Sequence, residues 1–193
     1  MDTTFWLAEL KQTPIGPIGV AASRVGLVRI SLFGMPGLLS PAEDKRRAYG
    51  AASFPRSQDF AHSRSSDTDA PPFLADALAQ IAEYFAGRRL TFNLPVDLTG
   101  VPQSHLAILA LVKAIPFGAV RTYGALAAEL GKPKAAILVG SANAANPLPL
   151  VIPCHRVVGT DHRLHGFAAP GGLSTKAWLL NLEGHKLSNL RLV

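Results

Sequence analysis

Short runs of apolar residues dominate the first part of the chain. Residues 7–10, 19–22 and 27–32 are such runs, and the last of them partly alternates apolar with polar positions. A Pro- and Gly-rich turn at 13–17 separates the first two runs. Alternation with a period of two is typical of strands that bury one face. We therefore predict two or three antiparallel strands in this region.

The regular pattern stops between residues 34 and 72. Pro, Ser, Asp and Ala follow one another there without a period, and the basic triplet Lys45-Arg46-Arg47 lies among them. Segments of this kind are typical of surface loops, so we predict a long, partly mobile loop over about 34–72. A solvated surface is the commoner role for the basic triplet, and contact with a polyanion is the alternative.

An apolar stripe at helical spacing predicts a helix over residues 73–86, which Gly87 terminates. The residues of the stripe are Leu74, Leu78, Ile81 and Phe85.

The second half of the chain begins after an extended segment at 94–98, and a further helix is predicted over 106–114. We place the boundary between two domains near Gly100. The expected organisation is a first domain over 1–99, a second over 100–185, and a tail over 186–193.

Residues 122–145 predict two short helices joined by a tight turn. Thr122 is suited to cap a helix over 123–130, and the turn Gly131-Lys132-Pro133 precedes a second helix over 134–145. Two helices joined in this way are typical of a DNA-binding helix-turn-helix, although many helical hairpins bind nothing.

The second of these helices is rich in small residues, and it has almost no long side chains that could read base edges. The small residues are Ala135, Ala136, Gly140, Ser141, Ala142, Ala144 and Ala145. Such a helix can approach a shallow groove closely, or it can pack tightly against another helix. If Ala135 and Val139 face inward, Ile137 lies about 200° from Ala135 and points outward. A small rotation of the helix would bury Ile137 instead.

Composition narrows the class of protein. The 193 residues are 48% hydrophobic and carry a net charge of +6. The charge favours polyanionic partners such as nucleic acid, and ordinary solubility charge accounts for it equally well. No apolar run could span a bilayer, and the N-terminus lacks the layout of a signal peptide. We therefore expect a cytoplasmic protein with no membrane partner.

The single cysteine, Cys154, excludes an internal disulfide. The six histidines show no metal-ligand spacing, so we predict neither a metal site nor a cofactor. A lone cysteine is more often a small buried residue than a nucleophile. Here, however, Cys154 stands between Pro153 and His155, and a sulfur beside an imidazole is an arrangement for covalent catalysis.

Several motifs around this cysteine resemble those of one protein family. They are Pro153-Cys154-His155-Arg156-Val157, Asn146-Pro147, Gly171-Gly172, Lys176, Leu179-Leu180 and Glu183-Gly184. Through them the chain is similar to the O6-alkylguanine-DNA alkyltransferases, or methylated-DNA–protein-cysteine methyltransferases, over about residues 13–184. The resemblance implies an α/β (α+β) fold. Its parts would be a small N-terminal ribonuclease-H-like antiparallel sheet domain and a helical C-terminal domain with a winged-helix-like helix-turn-helix.

The resemblance also implies a reaction, the single-use transfer of an alkyl group from O6-alkylguanine in DNA to Cys154. It assigns proton removal to His155 through a water molecule, with Glu183 orienting the histidine ring. Asn146 would hold the turn before the cysteine. Tyr123 would crowd the phosphate of the target nucleotide, help to rotate that nucleotide out of the helix, and donate a hydrogen bond toward the base.

The DNA and substrate contacts implied by the resemblance involve further residues. The partner would be alkylated double-stranded DNA, bound through its minor groove. The protein would be a monomer of bacterial type, and it would be associated with the nucleoid when it is bound to DNA. The residues implied to contact DNA or substrate are Tyr123, Ala135, Ala136, Ile137, Gly140, Ser141, Val157, Phe167 and Ala168. Of these, Val157 would accept from the guanine amine through its carbonyl, and Phe167 stands where a tyrosine is usual.

Ile137 departs from the family pattern, which has an arginine at this site that enters the base stack. An isoleucine can act as an apolar wedge, but it cannot donate hydrogen bonds to the orphaned base. We expect extrusion of the nucleotide that works but is weaker than with an arginine. Among the other motif residues, Arg156 is expected to anchor its loop by a salt bridge, and Lys176 to be structural.

Three alternative functions can be compared with this one. Non-catalytic sensors of alkylation damage lack the cysteine and keep the arginine, whereas this chain has the opposite pattern. A cysteine hydrolase would use Cys154, His155 and Glu183 to turn over acyl substrates. A plain helix-turn-helix regulator would need base-reading side chains that are missing here.

Overall fold

The computed structural model describes residues 4–40, 60, 64–65 and 69–193. The chain divides into two compact units, Met1–Val101 and Pro102–Val193. This division lies next to Gly100, where the sequence analysis places the boundary.

The N-terminal unit is built on a four-stranded sheet with the order β3–β2–β1–β4. The strands are β1 (Trp6–Leu10), β2 (Ile18–Ala22), β3 (Leu27–Ser31) and β4 (Arg64–Ser65). The first three pair antiparallel, as predicted, and β4 adds to β1 in parallel. Helix α1 (Gly34–Leu38) packs against β2 and β3, and α2 (Pro72–Phe85) packs against β1 and β2. Strands β2 and β3 are therefore buried along their whole length.

The predicted long, partly mobile loop over about 34–72 is interrupted by α1 and β4, which the sequence analysis did not predict. Phe60, within the same stretch, is buried. Helix α1 is a single turn, and the Met35 N–H at its start donates to Glu9 Oε1 at 2.7 Å. One turn is too short to leave a periodic pattern in a sequence, which is why the prediction missed it. The triplet Lys45-Arg46-Arg47 lies outside the described residues.

Helix α2 begins and ends within one residue of the prediction, but its buried stripe is rotated. The buried residues are Leu74, Ala77, Ile81 and Tyr84, whereas Leu78 and Phe85 are only half-buried. The Tyr84 ring packs against Phe92, beyond the end of the helix, with ring centroids 5.5 Å apart. Pattern counting favoured the larger apolar side chains, but close packing buries Ala77 in their place.

The C-terminal unit contains helices α3 (Gln103–Lys113), α4 (Tyr123–Glu129), α5 (Ala136–Ala144) and α6 (Leu173–Leu182). Helices α3, α4 and α5 contact one another. Strands β5 (Arg121–Thr122) and β6 (Val157–Val158) pair in parallel. Because β5 leads directly into α4 and β6 follows the cysteine, this pairing brings Tyr123 into the neighbourhood of the motif around Cys154.

Helices α4 and α5 form the predicted helical pair, with a shifted second start. Thr122 caps α4 as predicted, since its Oγ1 accepts from the Ala125 N–H at 3.1 Å. Gly131, with φ of 70°, ends α4, and its N–H donates to Ala128 O at 2.9 Å. Helix α5 begins at Ala136 rather than residue 134, because the Ala135 N–H closes a turn onto Lys132 O at 2.8 Å.

The predicted tail over 186–193 is in fact a β-hairpin. Strands β7 (Leu187–Ser188) and β8 (Arg191–Leu192) pair antiparallel. Leu187 and Leu192 pack against a buried cluster that contains Val158, Leu164 and Leu180. Two-residue strands fall below the length at which alternation can be recognised in a sequence. Among the helices of the described residues, none is both long and apolar enough to cross a membrane.

The Thr122 cap makes a direct prediction about stability. Replacing Thr122 with Ala leaves the Ala125 N–H without its acceptor, and we expect the free energy of unfolding to fall by about 1 kcal/mol. Urea unfolding followed by circular dichroism measures the change. Thr122→Ser keeps the acceptor oxygen, so its free energy of unfolding should remain within about 0.3 kcal/mol of the wild-type value. Equal losses in the two variants would show that the hydroxyl does not stabilise the helix.

Candidate active site

The segment before the cysteine is held by the side chain of Asn146, which is buried. Its Nδ2 donates to Ile152 O at 2.7 Å, and its Oδ1 accepts from the Leu148 N–H at 3.0 Å. Leu150 lies between these contacts with φ of 75°, a conformation that a leucine rarely adopts. The amide of Asn146 therefore ties both ends of a sharply turned segment, and this turn delivers Pro153 and Cys154 into the core.

Cys154 begins a 3₁₀ turn, Cys154–Arg156, that leads directly into β6. The Arg156 N–H donates to Pro153 O at 2.9 Å, which closes the turn. Cys154 is not part of a disulfide and is 8% exposed.

Glu183 lies at the C-terminal cap of α6 and binds both residues that follow the cysteine. His155 Nε2 is 2.8 Å from Glu183 Oε1. Arg156 donates from Nε to Glu183 Oε2 and from Nη2 to Oε1, both at 2.9 Å. The Gly118 N–H also donates to Oε2, at 3.4 Å. All three charged or polar side chains are buried, so each of their hydrogen bonds is made with little competition from water.

The protonation states of this group follow from its contacts. Burial alone would raise the pKa of Glu183, but the hydrogen bonds from His155 and Arg156 outweigh it and hold that pKa at about 2. Glu183 is therefore a carboxylate that only accepts, and His155 Nε2 must carry the proton between them. Burial lowers the pKa of His155, and Arg156 and Lys176 act in the same direction against the attraction of Glu183. The ring is neutral near pH 7, with Nδ1 as its basic nitrogen.

Arg156 anchors this part of the chain, as the sequence analysis expected. Besides its two bonds to Glu183, its Nη1 donates to Ile115 O at 2.5 Å, just beyond the end of α3. The guanidinium also lies 5.9 Å from the centroid of the Phe117 ring. One side chain thus joins the 3₁₀ turn, the end of α3 and the end of α6, and it does so with the bidentate geometry that favours arginine over lysine.

Lys176 is the residue whose position the sequence analysis did not foresee. It is fully buried, and its Nζ donates to Val157 O at 2.6 Å and to His165 O at 2.9 Å. Burial lowers the pKa of Lys176 to about 8, and a negative charge on Cys154 opposes that fall. The sequence analysis included Lys176 in the motif and expected it to be structural. Its burial and its electrostatic interaction with Cys154, which only the structure shows, indicate that it is also a charged neighbour of the sulfur. Val157 O, expected to accept from substrate, already accepts from this lysine and retains one further lone pair.

Tyr123 is a neighbour of Lys176, and its phenol interacts electrostatically with Cys154. Lys176 Nζ is 5.9 Å from the centroid of the Tyr123 ring. Burial raises the pKa of the Tyr123 phenol to about 12, and a negative charge on Cys154 acts in the same direction. The hydroxyl therefore stays protonated at neutral pH and is available as a hydrogen-bond donor near the sulfur.

The remaining predicted contacts lie on α5 and on the loop before α6. On α5, Val139 and Ala142 are fully buried whereas Ile137 is 88% exposed, so the predicted outward direction of Ile137 is the one observed. A Cβ added to Gly140 would meet nothing within 4 Å, which shows that this part of α5 is open rather than packed against another helix. The half-buried residues Ala135, Ala136, Ser141, Phe167 and Ala168 retain the contact roles proposed for them as predictions.

Comparison with known proteins agrees with this geometry. The profile of the 6-O-methylguanine DNA methyltransferase ribonuclease-like domain matches residues 7–98, and that of the DNA-binding domain of the same proteins matches residues 103–185. The chain belongs to the 6-O-methylguanine DNA methyltransferase family. The two matched stretches together span both structural units and leave out the hairpin at the C-terminal end.

The chain is similar to named relatives, some over little more than half of its length and others over nearly all of it. A methylated-DNA–protein-cysteine methyltransferase of Methanosarcina acetivorans is 32% identical over 90% of this chain and 95% of its own. The constitutive enzyme of Bacillus subtilis is 46% identical over 58% of this chain and 67% of its own. Mycobacterium tuberculosis OGT, solved in complex with DNA, superposes with a TM-score of 0.72 at 28% identity, covering 93% of each chain. These similarities confirm the family and the α/β fold class.

The position of Lys176 predicts how the thiol should respond to its removal. In Lys176→Met the buried positive charge near Cys154 is lost, so the thiolate becomes harder to form. We expect the pH at which Cys154 reacts half-maximally with iodoacetamide to rise by about one unit, the order of effect that the loss of one interacting charge has at intermediate dielectric. The measurement is the rate of thiol alkylation between pH 5 and 10.

Lys132→Met removes an exposed lysine from the turn between α4 and α5 and serves as the control. Circular dichroism on the same samples verifies that both variants are folded. An unchanged pH profile in a folded Lys176→Met protein would contradict an electrostatic role for this lysine.

Proposed function

We propose that this protein repairs DNA by transferring an alkyl group from O6 of guanine to Sγ of Cys154, once per molecule. The observation that carries the proposal is the buried His155–Glu183 pair directly beside the chain's only cysteine. The family membership and the relatives named as methylated-DNA–protein-cysteine methyltransferases support the same reaction.

The first step is formation of the thiolate. His155 Nδ1 is the basic nitrogen of a neutral ring, because Nε2 donates to the Glu183 carboxylate. The Cys154 proton passes to Nδ1, through one water molecule in the mechanism that the family resemblance implies. Glu183 then stabilises the imidazolium, and the Lys176 ammonium favours the thiolate by charge. Burial of these groups strengthens each interaction relative to water.

The second step is displacement at the alkyl carbon. The sulfur forms its bond to that carbon while the carbon–O6 bond breaks, and the electron pair leaves with guanine. The departing base gains a proton or a hydrogen bond, for which the Tyr123 hydroxyl, protonated up to a pKa of about 12, is the donor. The product is a thioether, and water does not displace a thiolate from such a carbon. One protein molecule therefore removes one alkyl group.

DNA binding through α5 completes the proposal. The target carbon is inaccessible to a protein sulfur inside the base stack, so the nucleotide must leave the helix. Helix α5 presents small side chains around Gly140, which allow the backbone of a minor groove to come close. Ile137 projects from that surface and is positioned to fill the space that the extruded base leaves. We propose that the protein acts on duplex DNA in the cytoplasm as a monomer.

Two other functions are less consistent with these observations. A damage sensor has no use for a cysteine next in sequence to a buried histidine–carboxylate pair. A cysteine hydrolase would need many turnovers, which the same residues could support only with an acyl substrate.

The decisive experiment is mass spectrometry of the intact protein after incubation with duplex DNA containing O6-methylguanine. We expect the mass to rise by one CH₂ group and peptide mapping to place it on Cys154. With excess DNA the gain stops at one group per protein, because the thioether is stable. Cys154→Ser is the control and should gain nothing. A wild-type protein that keeps its thiol, or that consumes several equivalents of methylated DNA, would overturn the proposal.

The exposed side chain of Ile137 predicts separate effects on duplex and on free base. Ile137→Ala removes the wedge, and we expect the rate on duplex DNA to fall about tenfold, equivalent to roughly 1.4 kcal/mol of lost support for unstacking. Ile137→Arg adds hydrogen-bond donors for the orphaned base and should raise that rate. The rate on free O6-methylguanine should change in neither variant.

Val25, a second exposed apolar residue at 72% exposure, offers a matched control as Val25→Ala. Its duplex rate should equal that of the wild type. Equal duplex rates for the wild type, Ile137→Ala and Ile137→Arg would refute the wedge.

A further inference from the structure

The C-terminal hairpin lies outside the stretch that matches the family, which ends at residue 185. Its strands β7 and β8 pair Leu187 with Leu192 and Ser188 with Arg191. The two residues between them, Asn189 and Leu190, have φ of 48° and 57°. Two left-handed residues in a row form the tight turn whose twist suits a two-residue hairpin. The hairpin is therefore a formed element of the fold, for which the family comparison assigns no role.

The hairpin is attached to the loop that follows β6. Leu164 N–H donates to Leu190 O at 2.9 Å, and Leu192 N–H donates to His162 O at 3.1 Å. Between these bonds, Arg163 and Arg191 form an antiparallel bridge. The hairpin and the loop thus act as neighbouring strands of one small ribbon.

The alternation of inward- and outward-facing side chains along this ribbon determines the direction of Arg163 and Arg191. Leu164 belongs to the buried cluster with Val158 and Leu180, and the partly buried Leu192 packs against that cluster. Neighbouring residues in an extended strand point to opposite faces, so Arg163 and Arg191 share the outer face. Both are exposed. We refer to Arg163 and Arg191 as the arginine pair.

Two like charges at directly paired positions destabilise a ribbon unless something negative lies between them. Asp161 Oδ2 is 3.5 Å from Arg163 Nε and partly compensates that residue. For Arg191 the described part of the chain places no carboxylate within ion-pair distance. The arrangement holds more positive charge than the protein neutralises at this place, and a phosphate group matches the fork geometry of both guanidinium groups.

The loop that carries Arg163 also contacts the start of α4. Thr160 lies against Gly124, where an added Cβ would be 3.6 Å from Thr160 Cγ2. The His165 ring meets the edge of Tyr123 with centroids 6.3 Å apart. The arginine pair therefore belongs to a ribbon that packs beside the tyrosine proposed to meet the target nucleotide.

We propose that the arginine pair binds the sugar-phosphate backbone of the duplex that carries the damaged base. This inference rests on the proposed function, and it adds a DNA contact on a part of the chain that the family match does not include. Binding of this kind is independent of sequence and of the presence of an alkyl group, because the contact is to phosphate alone.

The test is the affinity for undamaged duplex DNA as a function of salt concentration. At about 0.1 M salt, Arg191→Gln should weaken binding by about three- to tenfold and reduce the slope of log K against log salt by about 0.9. Arg163→Gln with Arg191→Gln should lower the slope by about twice that amount if both residues contact phosphate. Arg191→Lys keeps the charge and should bind within about twofold of the wild type.

Lys113→Gln, in the last turn of α3, makes the same change in net charge and is the matched control. The alkylation rate of Cys154 with free O6-methylguanine is measured for every variant, and the proposal requires it to stay unchanged. A slope for Arg191→Gln equal to that of Lys113→Gln overturns the proposal, and so does a parallel loss of the free-base rate. The binding measurement uses undamaged DNA and does not depend on alkyl transfer. If the wild type fails to transfer an alkyl group, the proposed function is refuted, but the salt slopes of the variants still decide whether the arginine pair binds DNA.

Discussion

The buried carboxylate of Glu183 is the contact on which the rest of the site depends. It sits at the end of α6 and receives hydrogen bonds from His155, Arg156 and the backbone of Gly118. A buried charge without partners would cost several kcal/mol, so these partners are obligatory for the fold and not only for chemistry. Because the carboxylate cannot donate, it fixes which nitrogen of His155 carries the proton. One structural requirement thereby determines the chemical state of the base.

The charges around Cys154 do not cancel among themselves. Glu183 is negative, Arg156 and Lys176 are positive, and His155 is neutral, so the buried group carries one positive charge in excess. A thiolate at Cys154 compensates that charge, which is why the fall in the pKa of Lys176 is opposed by the sulfur. The lysine is held in place by two carbonyl oxygens, those of Val157 and His165, and it cannot move away to reach water. In the proposed reaction the positive charge of Lys176 therefore acts in favour of an ionised sulfur.

Local patterns predicted those parts of the fold that local energetics determine. The apolar runs of β1–β3, the bounds of α2 to within one residue and the cap at Thr122 all arise from residues close together in the chain, and they were found. The one-turn helix α1 and the two-residue strands β7 and β8 were missed, because such short elements are stabilised by packing with distant residues. The same limit applies to the site.

The motif around the cysteine indicated His155 and Glu183 through resemblance, but their contact spans 28 positions of sequence and could not be calculated from spacing. Arg156 was expected to form a salt bridge, although its partner was unknown. That Arg156 shares the Glu183 carboxylate with His155 became evident only from the structure. For Lys176 the burial itself could not be predicted. A lysine in a helix is exposed in most proteins, and the burial of Lys176 depends on the packing of the whole C-terminal unit.

Ile137 and the arginine pair are two answers to one physical problem. An arginine in the base stack supplies both bulk to separate the bases and charge to attract the backbone. An isoleucine supplies only bulk. Its exposed apolar surface is worth roughly 1.5–3 kcal/mol when it is removed from water, and insertion between bases is the event that removes it. Attraction to the backbone must then come from elsewhere, and in the proposed complex Arg163 and Arg191 provide it. In this arrangement Ile137 supplies the wedge and the arginine pair supplies the charge, so the residues of helix α5 around Gly140 are small and uncharged. Helix α5 can therefore approach the minor groove closely without the cost of desolvating a cation.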